Sequence, residues 1–342
     1  MHCHLLVSDL VWPHGADACR GLDLPALERA FARGELTRAA PCAIEEWLCR
    51  AFGVQRQLDW PIAPLTLAFD GGTPAEAFWL RADPVHLRIE RSALVLADAG
   101  TFTVSADEAA GLAELLDRHW RPLGMALLPL HPTRWYARLP AAAEVETCAL
   151  AQAVGRNVHA CLPGGAQAMT WQRALLEAQM LLHDHALNQA REARGELAVN
   201  SVWFWGGGVM PRVEARAFEG VCANDVTARA LATAARIDSQ PLPRSFDAWL
   251  EGASGAGEHL IVLDALRPAA QYADVERWRD GMLRLEADWF DPALRALAAK
   301  RFERLRISVL DADRVFEIEL RPAALRKWWR RARPLTHYAT AG

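Results

Sequence analysis

The sequence predicts an α/β layered fold, and three observations carry the prediction. Short apolar runs that lead to an aspartate, His4–Val7 before Asp9 and His259–Leu263 before Asp264, read as buried strands with a polar residue at the carboxyl end. Segments of helical spacing alternate with such runs. The composition is 52% apolar and 23% charged over 342 residues, which suits one large globular domain or two ordinary ones.

In chain order, Pro13 and Gly15 close the first strand, and Leu24–Arg33 then has helical spacing at Leu24, Leu27, Ala30 and Phe31. A second helix is expected over Ile44–Phe52. Pro61, Pro64, Gly71, Gly72 and Pro74 mark a boundary. Trp79–Arg88, Leu94–Ala97 and Thr101–Val104 read as strands. Ser105 with Glu108 three residues on forms a capping box for a helix through Leu116. Strand character returns at Ala126–Leu130 and Arg134–Leu139. Trp171–Arg194 reads as one long helix and Val202–Trp205 as a strand, with Gly206-Gly207-Gly208 as a sharp turn. Val275–Trp289 is an amphipathic helix, and Arg306–Leu310 and Phe316–Leu320 are strands. A basic and aromatic helix, Pro322–Arg333, ends the pattern.

The net charge of −4 and pI near 6.3 give no global field to recruit nucleic acid or an anionic membrane. No stretch approaches the ~20 apolar residues of a membrane span, and the N-terminus has too short an apolar run for a signal peptide. The seven cysteines, at 3, 19, 42, 49, 148, 161 and 222, are odd in number and include no C-x-x-C pair. That usage fits reduced thiols in a cytosol better than a disulfide framework or a zinc site. A cytoplasmic protein is expected, with no membrane partner.

Residues 183–211 contain His185, Asn188, Arg191, Gly195, Asn200, Trp203, Trp205, Gly206, Gly208 and Pro211 in an order that resembles the archaeal-type cofactor-independent phosphoglycerate mutases. A weaker similarity runs from Asp83-Pro-Val-His-Leu-Arg88 through Val95-Leu-Ala-Asp98 to Glu108. The chain is still more similar to a proteobacterial group, the RpfE-type regulatory proteins, often labelled phosphoglycerate mutase. Arg134-Trp-Tyr, Gly155-Arg-Asn-Val-His159, Asn200–Gly208 and Asp288-Trp-Phe290 carry that likeness. The resemblance implies a three-layer αβα, alkaline-phosphatase-like core from residues 1–76 and 148–320. It also implies an inserted α+β domain at 77–147, with the basic and aromatic helix and tail at 321–342.

The resemblance further implies two divalent metals and a serine nucleophile. Asp9 stands at the first metal position, but Leu10 follows where the family has glycine. The nucleophile segment offers Cys42 and no serine, with Thr37 the nearest hydroxyl. No histidine follows Asp264 before His337, and Asp311-Ala-Asp313 occupies the late position without an imidazole. No metal site or cofactor is therefore expected. Manganese or zinc enters only if the chain is an active mutase or phosphatase with atypical ligands.

Individual residues keep two readings each. Asp9 is a weak catalytic candidate or a hydrogen-bonded relic, and Cys42 a stand-in nucleophile or a small buried thiol. His183 and His185, two apart on a helix, point about 200° away from each other and cannot share an ion. Gly206, Gly207 and Gly208 form either a nest for a phosphate or a tight turn. Arg156, Asn157 and His159 could join Arg191 and Arg212, with His185, Asn188 and Asn200 nearby, in a pocket for a phosphorylated small molecule. Trp328, Trp329, Arg330 and Arg331 could meet nucleic acid or a protein, or the tryptophans could pack on the core. The expected function is a non-catalytic regulatory or anion-binding relative of the mutases. The alternatives are the atypical enzyme and an interaction protein using the C-terminal helix.

Overall fold

A computed structural model describes residues 1–12, 16–90, 93–213, 217–311 and 314–340. Pro13, Gly15 and Asp313 of the sequence reading lie outside the described residues. The strands are β1 (His2–Ser8), β2 (Glu35–Ala39), β3 (Phe78–Glu90), β4 (Ala93–Ala97), β5 (Ala126–His131) and β6 (Arg134–Leu139) in the first part of the chain. They continue with β7 (Ser201–Gly208), β8 (Gly220–Cys222), β9 (Asp238–Gln240), β10 (Glu258–Leu263), β11 (Arg304–Leu310) and β12 (Val315–Leu320).

The chain divides into two compact units, one of residues 1–52 with 215–342 and the other of residues 53–214. The sequence reading put the breaks at 76 and 148. The flanks, 53–76 and 148–214, instead join the second unit, because β7 pairs along β3 from Val85↔Ser201 to Trp79↔Gly208.

The first unit is built on a seven-stranded sheet in the order β2-β12-β11-β1-β10-β8-β9. β1 lies parallel between β10 and β11, and only β12 and its partners pair antiparallel. Cys3–Val7 are all buried, as expected of a parallel strand covered on both faces. One face of the sheet, with Leu5, Val7, Ile261, Leu263 and Ile307, packs on Phe31, Phe246, Trp278, Met282 and Leu294 from the helices Pro25–Arg33, Phe246–Gly252, Val275–Leu285 and Asp291–Ala298. The opposite face carries His4, whose ring meets the edge of Trp47 on the helix Ile44–Ala51. This is the α/β class that the sequence predicts.

A π-turn at Glu286–Phe290 interrupts the expected Val275–Trp289 helix. It turns the Glu286 carboxylate onto the backbone N–H groups of Ala26 and Leu27, at 2.6 and 3.1 Å. Leu24, the N-cap of the helix Pro25–Arg33, has no side-chain acceptor of its own, so Glu286 satisfies donors that would otherwise be orphaned.

The second unit is an antiparallel sheet, β4-β3-β6-β5, with β7 on the other edge of β3. Its core gathers Trp120, Trp135, Trp171, Phe204, Leu112 and Leu116. The Ser105–Glu108 capping box is present in both directions and starts the helix Ala106–Trp120.

Four further expected elements differ. Thr101–Val104 forms no strand and leads from the turn at Asp98 into the Ser105 N-cap. The long helix over 171–194 is two helices, Ala168–His183 and Ala186–Ala193, because His185 leaves helical geometry and its side chain accepts from Leu187 N. Gly206–Gly208 is the end of β7 and not a turn. Pro322–Arg333 holds only a short 3-10 turn at Ala324–Arg326, and a helix forms later, at Leu335–Thr340. Its five basic residues have no acid within the segment to pair at i±4, so like charges oppose the helix. Trp328 and Trp329 are 78% and 63% exposed and do not pack on the core.

Candidate functional site

The residues that carry the sequence resemblance hold the second unit together. Arg191 is 1% exposed and uses its whole fork. Nε donates to Leu197 O at 2.8 Å, Nη1 to Glu108 Oε2 at 2.9 Å and Nη2 to Thr103 O at 2.8 Å. Glu108 belongs to the weaker of the two similar stretches, so the two stretches meet in one ion pair. Buried Asn188 donates to Leu182 O and Val199 O and accepts from Val199 N. Asn200 brackets the backbone of Leu87 in the same way. Trp205 Nε1 donates to Asp83 Oδ2 at 2.7 Å, and Asp83 is also held by the Arg81 guanidinium beneath it. Burial still raises the Asp83 pKa, with the Arg81 charge opposing.

The three glycines are explained by close packing. A Cβ on Gly208 would lie 2.6 Å from Pro61 Cβ, and one on Gly207 would lie 2.8 Å from Leu80 Cδ2. Gly206 has φ +67° and would place a Cβ 3.0 Å from that of Ile62. The backbone N–H of Gly206 is spent on Thr147 Oγ1. Arg156 and His159 are exposed beside a 3-10 turn at Val158–Cys161, whereas Arg191 is buried and fully committed. Arg191 therefore has no donor left to offer an anion beside Arg156 and His159.

Chemistry is concentrated instead at the carboxyl edge of the parallel strands in the first unit. Asp9 directly follows β1 and adopts φ +59°, an uncommon conformation for a residue with a side chain. Its N–H donates to Leu310 O, and its C=O accepts from Trp278 Nε1 at 2.8 Å. The parallel register Ser8↔Leu310 brings Asp311 beside it, and Val7↔Leu263 brings Asp264 to the same edge. Asp225 lies beyond β8 and caps the helix Val226–Ala234 through Ala228 N. Glu45 comes from the first turn of Ile44–Ala51 and is 6% exposed.

Arg267 enters among these acids. Its N–H donates to Asp264 O, and its guanidinium Nη1 stands 3.8 Å from Asp225 Oδ2. Burial opposes its charge, but Asp225, Glu45, Asp264 and Asp9 together raise its pKa above the ordinary value. Burial in turn raises the pKa of Glu45 and Asp264, against the Arg267 charge. At Asp311, burial with the nearby Asp9 charge pushes the carboxyl up to about 7, although Val11 N donates to Oδ1. Arg267 Nη2, Glu45 Oε2 and Asp311 Oδ2 are buried without a hydrogen-bond partner.

Among the described residues no group of three or more His, Cys, Asp or Glu is placed to hold a metal ion. Burial and the Glu46 charge push the Cys42 thiol up to about 11, so it is protonated at neutral pH. Sequence reasoning singled out Asp9 and missed Glu45, Asp225 and Arg267, since a lone charged residue in a helix start or cap carries no local signal.

No protein-family profile matches the chain. It is 30% identical over 114 residues to the 2,3-bisphosphoglycerate-independent phosphoglycerate mutase of Methanosarcina barkeri, a match covering 32% of this chain and 28% of the relative. The chain thus spans little more than a quarter of that relative's length. Among solved structures it is similar to the PH0037 protein from Pyrococcus horikoshii, with TM-score 0.53 and 11% identity, over 94% of this chain and 87% of that one. A cofactor-independent phosphoglycerate mutase from Thermoplasma acidophilum aligns over 98% of this chain and 94% of that one, at 15% identity and TM-score 0.45. Over those 114 residues, about a third of its length, this α/β chain is similar to a cofactor-independent phosphoglycerate mutase.

Proposed function

We propose that this protein is a non-catalytic, regulatory relative of the phosphoglycerate mutases, of the RpfE type, with its former metal edge closed by an internal cation. The observation that carries this reading is Arg267 among Asp9, Glu45, Asp225 and Asp264. A guanidinium neutralises acids at the carboxyl ends of the strands, where a mutase needs ions that polarise a phosphoryl group. A fixed guanidinium supplies charge but no open coordination position. The protonated Cys42 thiol adds no ready nucleophile.

The test is metal analysis of the purified chain together with an assay of 3- to 2-phosphoglycerate conversion. The expected result is no stoichiometric manganese or zinc and no turnover, before and after incubation with either ion. Tightly held metal with turnover that Asp9→Ala abolishes would establish the enzyme reading instead.

A second reading is favoured by the exposure of Trp328 and Trp329 beside Arg330 and Arg331. Paired exposed indoles flanked by arginines offer stacking and charge to a nucleic acid or an acidic protein face. Arg330 Nη1 anchors the segment on Gly34 O at 3.2 Å. Affinity for single-stranded nucleic acid that falls steeply with salt and is lost in an Arg331→Ala, Trp328→Ala variant would support nucleic acid; salt-independent or absent binding would remove it. Among the described residues no helix is long and apolar enough to cross a membrane.

A further inference from the structure

The sequence reading treats the seven cysteines as scattered reduced thiols, but the fold brings two of them together. Cys148 Sγ lies 2.6 Å from Cys161 Sγ, inside van der Waals contact, and both residues are partly exposed. The approach is built by the backbone. Glu146 and Gly164 exchange both N–H···O bonds, at 3.1 and 2.9 Å, and clamp the two arms just outside the thiols. Trp203 Nε1 donates to Cys148 O at 2.9 Å and fixes one arm on β7. The other arm ends in the 3-10 turn Val158–Cys161, started by the Asn157 side chain. A disulfide has its sulfurs ~2.05 Å apart, so closing the bond asks for a shift of about half an ångström.

We propose that Cys148 and Cys161 are a redox-active pair that a peroxide converts to an intramolecular disulfide. Cys161 is the attacking sulfur. The Cys148 thiol donates to it and, with the nearby Arg156 charge, brings its pKa down to about 7 against the effect of burial. The remaining cysteines with a resolved shift are all raised by burial: Cys42 and Cys222 to about 11, Cys49 to about 12, and Cys3 and Cys19 above their ordinary value. At neutral pH the thiolate population therefore sits on Cys161.

The chemistry balances with hydrogen peroxide or an organic hydroperoxide as oxidant. The Cys161 thiolate attacks one peroxide oxygen; the O–O bond breaks, leaving Cys161 sulfenic acid and hydroxide or alkoxide, which takes a proton from water. Cys148 then gives up its proton and attacks the sulfenyl sulfur. The S–O bond breaks, water carries away the oxygen with that proton, and the S–S bond forms. A dithiol reductant reverses the step. The closed loop contains Arg156 and His159, so oxidation would tether the segment that carries this chain's exposed basic pair. This inference does not rest on the mutase-relative reading.

The test uses the full chain, exposed to a few equivalents of hydrogen peroxide, alkylated, and digested with trypsin. Cleavage after Arg138, Arg156 and Arg173 places the two cysteines on separate peptides, 139–156 and 157–173. The expected result is the disulfide-linked pair of these peptides, with two fewer titratable thiols per chain and full recovery after dithiothreitol. Cys161→Ser should slow peroxide consumption at least tenfold, and Cys148→Ser should leave a sulfenic acid at Cys161 that dimedone traps. Complete alkylation of both cysteines after peroxide, a disulfide to any other cysteine, or an unchanged rate in Cys161→Ser would overturn the proposal.

Discussion

Arg191 and Arg267 are both arginines drawn out of solvent, and the two units use them in opposite ways. In the second unit Arg191 donates to two carbonyls and one carboxylate at 2.8–2.9 Å, so its charge and geometry are both satisfied. In the first unit Arg267 stands 3.8 Å from Asp225 and leaves Nη2 without a partner. It is held by the summed field of several carboxylates more than by any one bond. A hydrogen-bonded cation is a structural rivet, whereas a cation held by field alone marks a place where charge accumulated for another reason.

The difference is open to measurement, most sharply at Arg191. Arg191→Met leaves Glu108 and two carbonyls without their donor, and urea unfolding should show a loss of about 3–5 kcal/mol that is similar at pH 5.5 and 8. Arg267→Met should cost about 2 kcal/mol at pH 8, less because the side chain is 17% exposed, and the loss should shrink by pH 5.5. The sign follows from linkage. Without Arg267 the native carboxylates hold protons more readily than the unfolded chain does, so stability returns as pH falls. Equal pH dependence in the two variants would erase the distinction between them.

Asp311→Asn gives the next effect. With its native pKa near 7 and an ordinary unfolded value near 4, Asp311 favours folding below that window. It makes the wild type lose up to about 1.4 kcal/mol per pH unit as pH rises between them. The asparagine variant should lack that slope when urea midpoints are compared at pH 5 and 7. The smallest effect belongs to Ser105→Ala, which removes one half of the capping box and should cost about 1 kcal/mol with no pH dependence over the same range.

What the sequence revealed follows from how local each signal is. The capping box at Ser105 and Glu108 needs four consecutive residues, and it was legible. The buried strands before Asp9 and Asp264 were legible because parallel strands are apolar on both faces. The glycine run was misread as a turn, because the sterics that require it come from Pro61, Ile62 and Leu80, more than a hundred residues upstream. The charged cluster at the strand edge escaped for the same reason: Glu45, Asp225 and Arg267 come together only through the β1–β10–β8 order. The Cys148–Cys161 pair depends on the Glu146–Gly164 bridge, which has no pattern in the sequence. No helix forms over most of Pro322–Arg333, where five like charges repel and no acid relieves them.

The sheet order has a consequence for synthesis. β1 precedes its two neighbours in the sheet, β10 and β11, by some 250 and 300 residues. The continuous 53–214 unit can close on its own contacts while Cys3–Val7, apolar along its length, still has no sheet to enter. The cap that Glu286 places on the Pro25–Arg33 helix arrives equally late. β1 therefore stays without its sheet neighbours until most of the chain between them has been made.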